Sequence, residues 1–549
     1  MKFDNLFIYW RTLRHLRLIQ LYRRIWFNFY RPYFFLRNNN VKPHCPTGQW
    51  GLPINRNISM VGKYKFKFLN KTRTLSKDDG WNQRLEEKLW LYNLHYFDDL
   101  NAKMSFRRLK WHQSLILKWI DQNTVGRGVG WEPYTTSLRI VNWIKWLNNS
   151  HKPVRGMLES LIIQTNWLER RLEWHLLGNH LFSNAKALVF SGLFFEGAQS
   201  KKWLEKGLDI IRHQLPQQVL SDGGHFERSP MYHALFLEDM LDLVNFSLLR
   251  PGVVSKSEVK IWRNTIVSML KWLEKMTHPD KEISFFNDSA LGIAPKLNEL
   301  KSYAIRLGFK EARKVGSKVK YTHLKQSGYV HFKCSNAEGI LDVGPIGPDY
   351  LPGHAHADTL SFELSLFGKR LIVNGGTSTY EKGSKRLRER GTASHSTVEI
   401  AGLNSSEVWG SFRVGRRAYP DDVQIIDKSK KLSISCSHNG YSHLINSPIH
   451  RRKWIITTKT ISISDQIKGG SYSAIARYIF HPDIKINKVK DNKWTLKMPD
   501  NKIATIKIFQ GKSKLKNITY SPEFGKNIST KCLVVDLKNN SGFFKLDWN

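Results

Sequence analysis

LPGHAHADTLSFELSLFGKRLIVNGG, from Leu351 to Gly376, decides how the second half of the chain reads. Within it LSFELSLF and RLIVN alternate apolar and polar residues and favour strand-forming types. Just ahead, His354, His356 and Asp358 occupy alternate positions. An extended backbone would turn all three toward one face. The motif is therefore expected at the start of a strand, its side chains holding a metal, working on a substrate, or both.

Working outward, SGYVHFK, STVEIAG, KWIITTKTISIS and TIKIFQ repeat the strand pattern with no helix of useful length between them. That predicts antiparallel sheets, packed as a sandwich. Upstream, from about Lys88 to Leu307, the period changes to that of amphipathic helices. LRIVNWIKWL (Leu138–Leu147), MLESLIIQTNWLERRLEWHL (Met157–Leu176) and MYHALFLEDMLDLVNFSLL (Met231–Leu249) are the clearest. Short breaks between them predict antiparallel helical hairpins, built into a solenoid or a closed α/α toroid. The expected layout is a basic amphipathic segment over 1–40, a helical domain over 41–315 and a β-sandwich over 316–549. The second boundary is expected in the lysine-rich stretch from Gly308 to Lys320.

The 549 residues carry 86 Lys+Arg against 46 Asp+Glu, a net charge of +40, which favours a polyanionic partner. Charge alone does not choose among nucleic acid, anionic lipid and acidic polysaccharide. The basic residues are spread along the chain with no recognised nucleic-acid module, which argues against the first. Cys45, Cys334, Cys436 and Cys532 are far apart, neither a zinc ribbon nor a disulfide framework, and are expected as reduced, buried thiols. The start, MKFDNLFIYWRTLRHLRLIQLYRRIWFNFYRPYFFLR, lacks the apolar core and cleavage site of a signal peptide. A cytoplasmic location, or one peripheral to a bacterial inner membrane, is expected. The same stretch mixes arginines with large apolar residues, as an interfacial helix or a helix docked on the protein itself would.

Three clusters can carry chemistry. In GNHLFSNAKALVFSGLFFEG, Asn179 and His180 stand at a helix start, where asparagine is also a common cap, and His180 and Asn184 share a helix face. SDGGHFERSPMYHALFLEDM places His225, Glu227, Arg228, Tyr232 and His233 in a loop entering a helix, a lined cleft or a solvated loop. Nearby cations could lower the Tyr232 phenol from its reference pKa of about 10 and let it exchange protons. The third is HAHAD with His395 downstream: two histidines plus an oxygen ligand make a zinc site, or a hydrogen-bonded pair.

Taken with WEPYTTSLRIVNWIKW, RERGTASHSTVEIAG and EVWGSFRVGRRA, these stretches resemble the heparinase II/III-like polysaccharide lyases and their alginate-lyase relatives. The resemblance implies an α/α toroid followed by an antiparallel β-sandwich. It also implies a groove between them where a uronic-acid-containing polysaccharide is cut by β-elimination. In the family's pattern Asn179, with His180 beside it, binds the uronate carboxylate. Tyr232 acts on the leaving oxygen and, for some substrates, on the C5 proton, and His354 accepts the proton for the other stereochemistry. Arg139, Glu227, Arg228 and Arg390 are expected against the substrate. His356, Asn374 and His395 are expected around a structural divalent ion such as Zn²⁺, and no organic cofactor is implied. Asn374 departs from the pattern, which has aspartate there, and an amide is the weaker ligand. Two other readings compete. A glycoside hydrolase would need two carboxylates, drawn from Asp222, Glu227, Glu238 and Asp239. A non-catalytic protein would only bind the polymer.

Overall fold

The computed structural model describes residues 2–32, 41–44, 46–75, 80–83, 87–149, 151–310, 320–428 and 430–548. Cys45 and the expected domain boundaries at 40/41 and 315/316 lie outside them. Two short helices open the chain, α1 (Lys2–Leu13) and α2 (Leu18–Phe29). The helical layer follows as α3 (Lys88–Tyr96), α4 (Leu109–Gln122), α5 (Pro133–Asn148), α6 (Met157–Arg170), α7 (Gly178–Phe194), α8 (Ala198–Gln218), α9 (Pro230–Ser247), α10 (Lys256–Lys275) and α11 (Leu297–Arg306). No described helix is long and apolar enough to cross a membrane.

α7 is apolar nearly all round, and a helix of that kind must be enclosed. It packs against α5, α6, α8 and α9, and Leu181, Ala185, Leu188 and Val189 are fully buried. Lys186, on the same helix, is also buried, and its ammonium is met by Asp239 and Asp242, each at 2.6 Å. This enclosed charge cluster ties α7 to α9. The helices form the α/α toroid.

Two antiparallel sheets form the sandwich. The nine-stranded one runs Lys512–Glu523, Lys526–Asp536, Ala474–Phe480, Lys369–Val373, Phe362–Leu366, Ala337–Asp342, Tyr329–Cys334 and Lys320–Leu324, with Val398–Ile400 paired to Ala474–Phe480. The eight-stranded one runs Pro420–Lys428, Lys431–His438, Ile449–Ile456, Thr460–Lys468, Ser541–Trp548, Ile503–Gln510, Lys493–Lys497 and Lys485–Lys490. Their inner faces share one core, with Tyr478 of the first stacked on Phe544 of the second at 4.1 Å. Cys334, Cys436 and Cys532 are buried free thiols.

The HAHAD stretch differs from expectation. The strand starts only at Phe362, and residues 351–361 are a loop. The cause lies in where its backbone bonds go. The His356 N–H donates to Asn287 Oδ1, and the Asp288 N–H donates to the His354 carbonyl, each at 2.9 Å. The segment is thus paired with the connection between α10 and α11 rather than with a neighbouring strand.

Inside the sandwich Arg452 makes a two-pronged pair with Asp465, at 2.7 and 3.0 Å, and His450 bonds the same carboxylate at 2.8 Å. All three are essentially unexposed. Asp465→Ala strands the Arg452 charge, and the expected loss is about 3–5 kcal/mol of stability. Denaturant unfolding measures it, and a loss below about 1 kcal/mol would show that water relieves the arginine.

Candidate active site

The site is built around Asp288, a residue of the α10–α11 connection with no exposed surface. Its Oδ2 accepts His354 Nδ1 at 2.9 Å and its Oδ1 accepts His356 Nε2 at 2.8 Å. Arg386, on the short helix α12 (Ser384–Arg390), closes on both oxygens, with Nη2–Oδ2 at 2.6 Å. Burial alone would raise this carboxyl, but Arg386 and the imidazoles outweigh it and hold it well below the usual range.

Asp288 also reaches the tyrosine loop through its backbone. The Ser229 hydroxyl donates to the Asp288 carbonyl at 2.5 Å and accepts the Tyr232 N–H at 3.2 Å. Ser229 is thus the N-cap of α9, with Pro230 at its first position, which gives the S-x-x-Y spacing a physical reason. One helical turn on, the Tyr232 ring lies 3.9 Å from the His354 ring, centroid to centroid, and its hydroxyl is 3.0 Å from that of Tyr380. Burial, and then Tyr380, raise the Tyr232 phenol well above 10, the reverse of the lowering expected from cations. It stays protonated, as an acid. His354 is pushed the other way by burial, against the pull of Asp288. With Nδ1–H donating to Asp288, its Nε2 is left with a free lone pair on a partly exposed ring.

On the toroid side, α7 begins at Gly178 in a left-handed conformation, φ +54°, where an added Cβ would meet Leu351 at 2.4 Å. That close approach sets the helix start against the histidine loop. Leu177, not Asn179, is the cap residue, so Asn179 lies in the first turn, half-buried and with no hydrogen bond to its amide among the described residues. His180 Nδ1 bonds Glu173 Oε1 at 3.1 Å, Asn184 bonds Glu173 Oε2 at 3.1 Å, and the Tyr134 ring lies tilted against that of His180 at 4.5 Å. His180 and Asn184 share a helix face because both grip one carboxylate.

Glu227 is nearly fully buried, neither carboxyl oxygen has a partner, and one lies 3.9 Å from His354 Nε2. Burial and the charge of Asp288 push its pKa up to about 8. Other expectations need correcting. Arg139 does not reach the cleft: it is enclosed in the toroid, 3.8 Å over Trp119 and bonded to Gln164. Arg390 is enclosed too, donating to the carbonyls of Ala355, Gly410 and Arg413. It braces the histidine loop from behind. Arg228 spends its guanidinium on the carbonyls of Pro345 and Gln326. His225 and His233 are core residues, and Asp358 turns away to accept the Asn287 N–H at 3.1 Å. Asp288, Arg386, Tyr380 and Glu173 carry no sequence signal of their own and were not expected.

His356 Nδ1 and His395 Nε2 lie 3.3 Å apart. This suits one hydrogen bond or, in the other tautomer, two nitrogens about 2.0–2.1 Å from one tetrahedral ion. The third donor does not fit. The Asn374 amide oxygen accepts the Ser396 N–H at 3.1 Å and brings no charge. The group holds together by hydrogen bonds and lacks the anionic ligand a divalent ion takes.

Two family models match the chain, Heparinase II/III N-terminus over residues 110–307 and Heparinase II/III-like, C-terminal over 318–549. The chain belongs to the heparinase II/III-like family. Among curated relatives, the heparin-sulfate lyase of Bacteroides stercoris is 27% identical over 246 residues and that of Pedobacter heparinus 25% over 250. Each alignment covers 41% of this chain and 36% of the relative, so the chain matches about a third of their length. A crystal structure of heparinase III superposes with a TM-score of 0.70 at 18% identity, over 86% of this chain and 80% of that one. The chondroitin AC lyase of Streptomyces coelicolor A3 gives 0.52 at 8%, over 84% and 75%. At such identities the likeness is one of fold: toroid followed by sandwich.

Two predictions arise. Glu227 is protonated when folded at pH values where it ionises unfolded, so its contribution is full below pH 4.5 and lost as pH rises through about 8. Glu227→Gln keeps the neutral shape, and its melting temperature should exceed the parent's by a margin that opens above pH 4.5 and levels off beyond about 8. A margin independent of pH would refute the buried acid. Asn374→Asp should raise Zn²⁺ content and add a chelator-sensitive gain in melting temperature, because ligand binding to the folded state stabilises it. A full equivalent of tightly held metal in the unmutated protein would overturn this.

Proposed function

We propose that this protein is a polysaccharide lyase cleaving a uronic-acid-containing acidic polysaccharide by β-elimination. The observation that carries the reading is the pairing of a neutral, Asp288-oriented His354 with a protonated Tyr232, ring against ring, on a histidine loop that abuts the α7 start carrying Asn179. A C5–H next to a carboxylate is a weak acid because its loss concentrates negative charge. Hydrogen bonds from Asn179 and His180 to the uronate spread that charge. His354 Nε2 takes the C5 proton, the electron pair forms the C4–C5 double bond, and the C4–O bond breaks. Tyr232 gives its proton to the leaving oxygen. The imidazolium and phenolate so formed are neighbours, and one proton passed from His354 to Tyr232 restores both.

The hydrolase reading lacks its pair of carboxylates. Asp222 is taken by Ser327, Glu238 faces Arg56 at 2.9 Å and Asp239 faces Lys186. Glu227 remains, as a protonated acid alone. Relatives named heparin-sulfate lyase support a glycosaminoglycan as the polymer class. The +40 charge suits any such polyanion. Peripheral membrane contact is a separate proposal resting on α1 and α2.

The test is to incubate the protein with heparan, chondroitin and alginate polymers and follow the ultraviolet absorbance of the unsaturated uronate. Tyr232→Phe and His354→Ala should each lower kcat by about 10²–10⁴ with little change in melting temperature. His356→Ala, at a fully buried position, should lose stability first. New reducing ends without absorbance would make the protein a hydrolase, and an intact polymer would make it a binding protein.

A further inference from the structure

α1 and α2 are held to the body by one side each. On α1, Arg11 pairs with Glu407 at 2.8 and 2.7 Å, Thr12 accepts the Trp409 indole N–H at 3.0 Å, and Tyr9 meets Trp409 edge-on. On α2, buried Gln20 donates to the Tyr350 carbonyl at 3.2 Å, and Phe27 lies 3.7 Å beneath the Arg171 guanidinium. Arg171 also holds the carbonyls of Phe27 and Tyr30 at the end of that helix.

The opposite sides are apolar and bare. On α1, Leu6, Trp10 and Leu13, spaced i, i+4, i+7, are 64, 64 and 46% exposed. On α2, Leu18, Ile25 and Phe29 are 81, 63 and 81% exposed, with Tyr22 and Trp26 more than half exposed beside them. At 100° per residue, each group falls on one stripe, with Arg14, Arg23 and Arg24 along the borders. This inverts the ordinary surface helix, which turns its apolar stripe inward. Contiguous exposure of this kind marks a surface that meets something.

The composition says what. From Lys2 to Arg31 there are seven Lys and Arg against Asp4 alone. Aliphatic side chains flanked by arginines, with Trp and Tyr among them, match the layered chemistry of a bilayer surface: acyl chains, interface, anionic headgroups.

We propose that α1 and α2 seat this protein on a lipid bilayer carrying anionic headgroups, their apolar stripes inserted at headgroup level. The anchoring points on the body lie at the rim of the groove. Tyr350 adjoins Leu351, which touches Gly178, and Glu407 and Trp409 precede Phe412, whose ring faces His354 at 5.8 Å. The seat therefore holds the groove close to the membrane, whatever reaction the groove performs.

Full-length protein is sedimented with vesicles of phosphatidylcholine alone or with roughly one third phosphatidylglycerol. Binding to the anionic vesicles, weakening with added salt, is expected. Ile25→Asp/Phe29→Asp should bind at least about tenfold more weakly, with an unchanged melting temperature. Trp10→Ser/Leu13→Ser tests the other helix in the same way. Failure to bind the anionic vesicles, or binding by both double variants as tight as the parent's, overturns the proposal. So does concentration-dependent self-association without lipid binding that the same variants abolish, which would give the apolar stripes to a second copy of the chain.

Discussion

The arrangement depends on one buried carboxylate. An unpaired charge at Asp288 would be intolerable with no exposed surface, so its oxygens have to be met from every side. Arg386 cancels the charge, and two imidazoles and Thr377 take up hydrogen bonds. These partners come from the histidine loop, the Thr377 turn and α12, all in the sandwich half, while Asp288 belongs to the helical half. Its own carbonyl and N–H reach Ser229 and His354. Satisfying Asp288 thus joins the halves and fixes, as a consequence, the proposed base and the helix that carries the proposed acid.

A second cluster of the same composition shows what such a network lacks when it is only structural. His438, His450, Asp465 and Arg452 repeat the order seen in His395, His356, Asp288 and Arg386, with a 3.2 Å contact between the histidines. It lies wholly inside the sandwich, with its members at most 2% exposed. The one phenol against a histidine there, Tyr441 at 5.7 Å from His438, is itself buried and spends its hydroxyl on the Val398 and Leu403 carbonyls. What separates the Asp288 cluster is His354, the one member placed at the boundary, partly exposed and against Tyr232. Residue types in a pattern therefore do not specify a site; the position of one member relative to solvent does.

Periodicity made the two architectures readable, because burial of one face is a local constraint that recurs every few residues. The helices around α7 and the strands beyond Phe362 follow it directly. Motif spacing singled out Asn179, Tyr232 and His354; the first two are placed by neighbours in sequence, the Gly178 turn and the Ser229 cap, whereas His354 is held by Asp288, 66 residues away. Asp288, Arg386 and Tyr380 were not readable. Each sits in a connection or short helix whose conformation is determined by tertiary partners 66 to 148 residues away. Arg139 and Arg390 were misread for the complementary reason. An arginine's sequence context does not reveal whether its donors face a groove or, as here, backbone carbonyls and a glutamine within the core.

The correction over the arginines changes how a polyanion would be handled. In the groove the Asp288 charge is matched by Arg386, Glu173 is hydrogen-bonded by His180 and Asn184, and Glu227 is neutral. The excess of +40 must therefore reside mainly on outlying lysines and arginines. Exposed charge acts through a field that salt screens beyond about 10 Å, so it governs encounter and threading of the polymer. Stabilising the carbanion is left to short-range donors such as the Asn179 amide, in a site too enclosed for such screening. On the lyase reading, attraction and chemistry are thus separated in space. The enzyme can hold a long polyanion loosely along its length while the one uronate at the groove meets neutral donors, and the shortened product is not trapped by fixed positive charge at the point of cleavage.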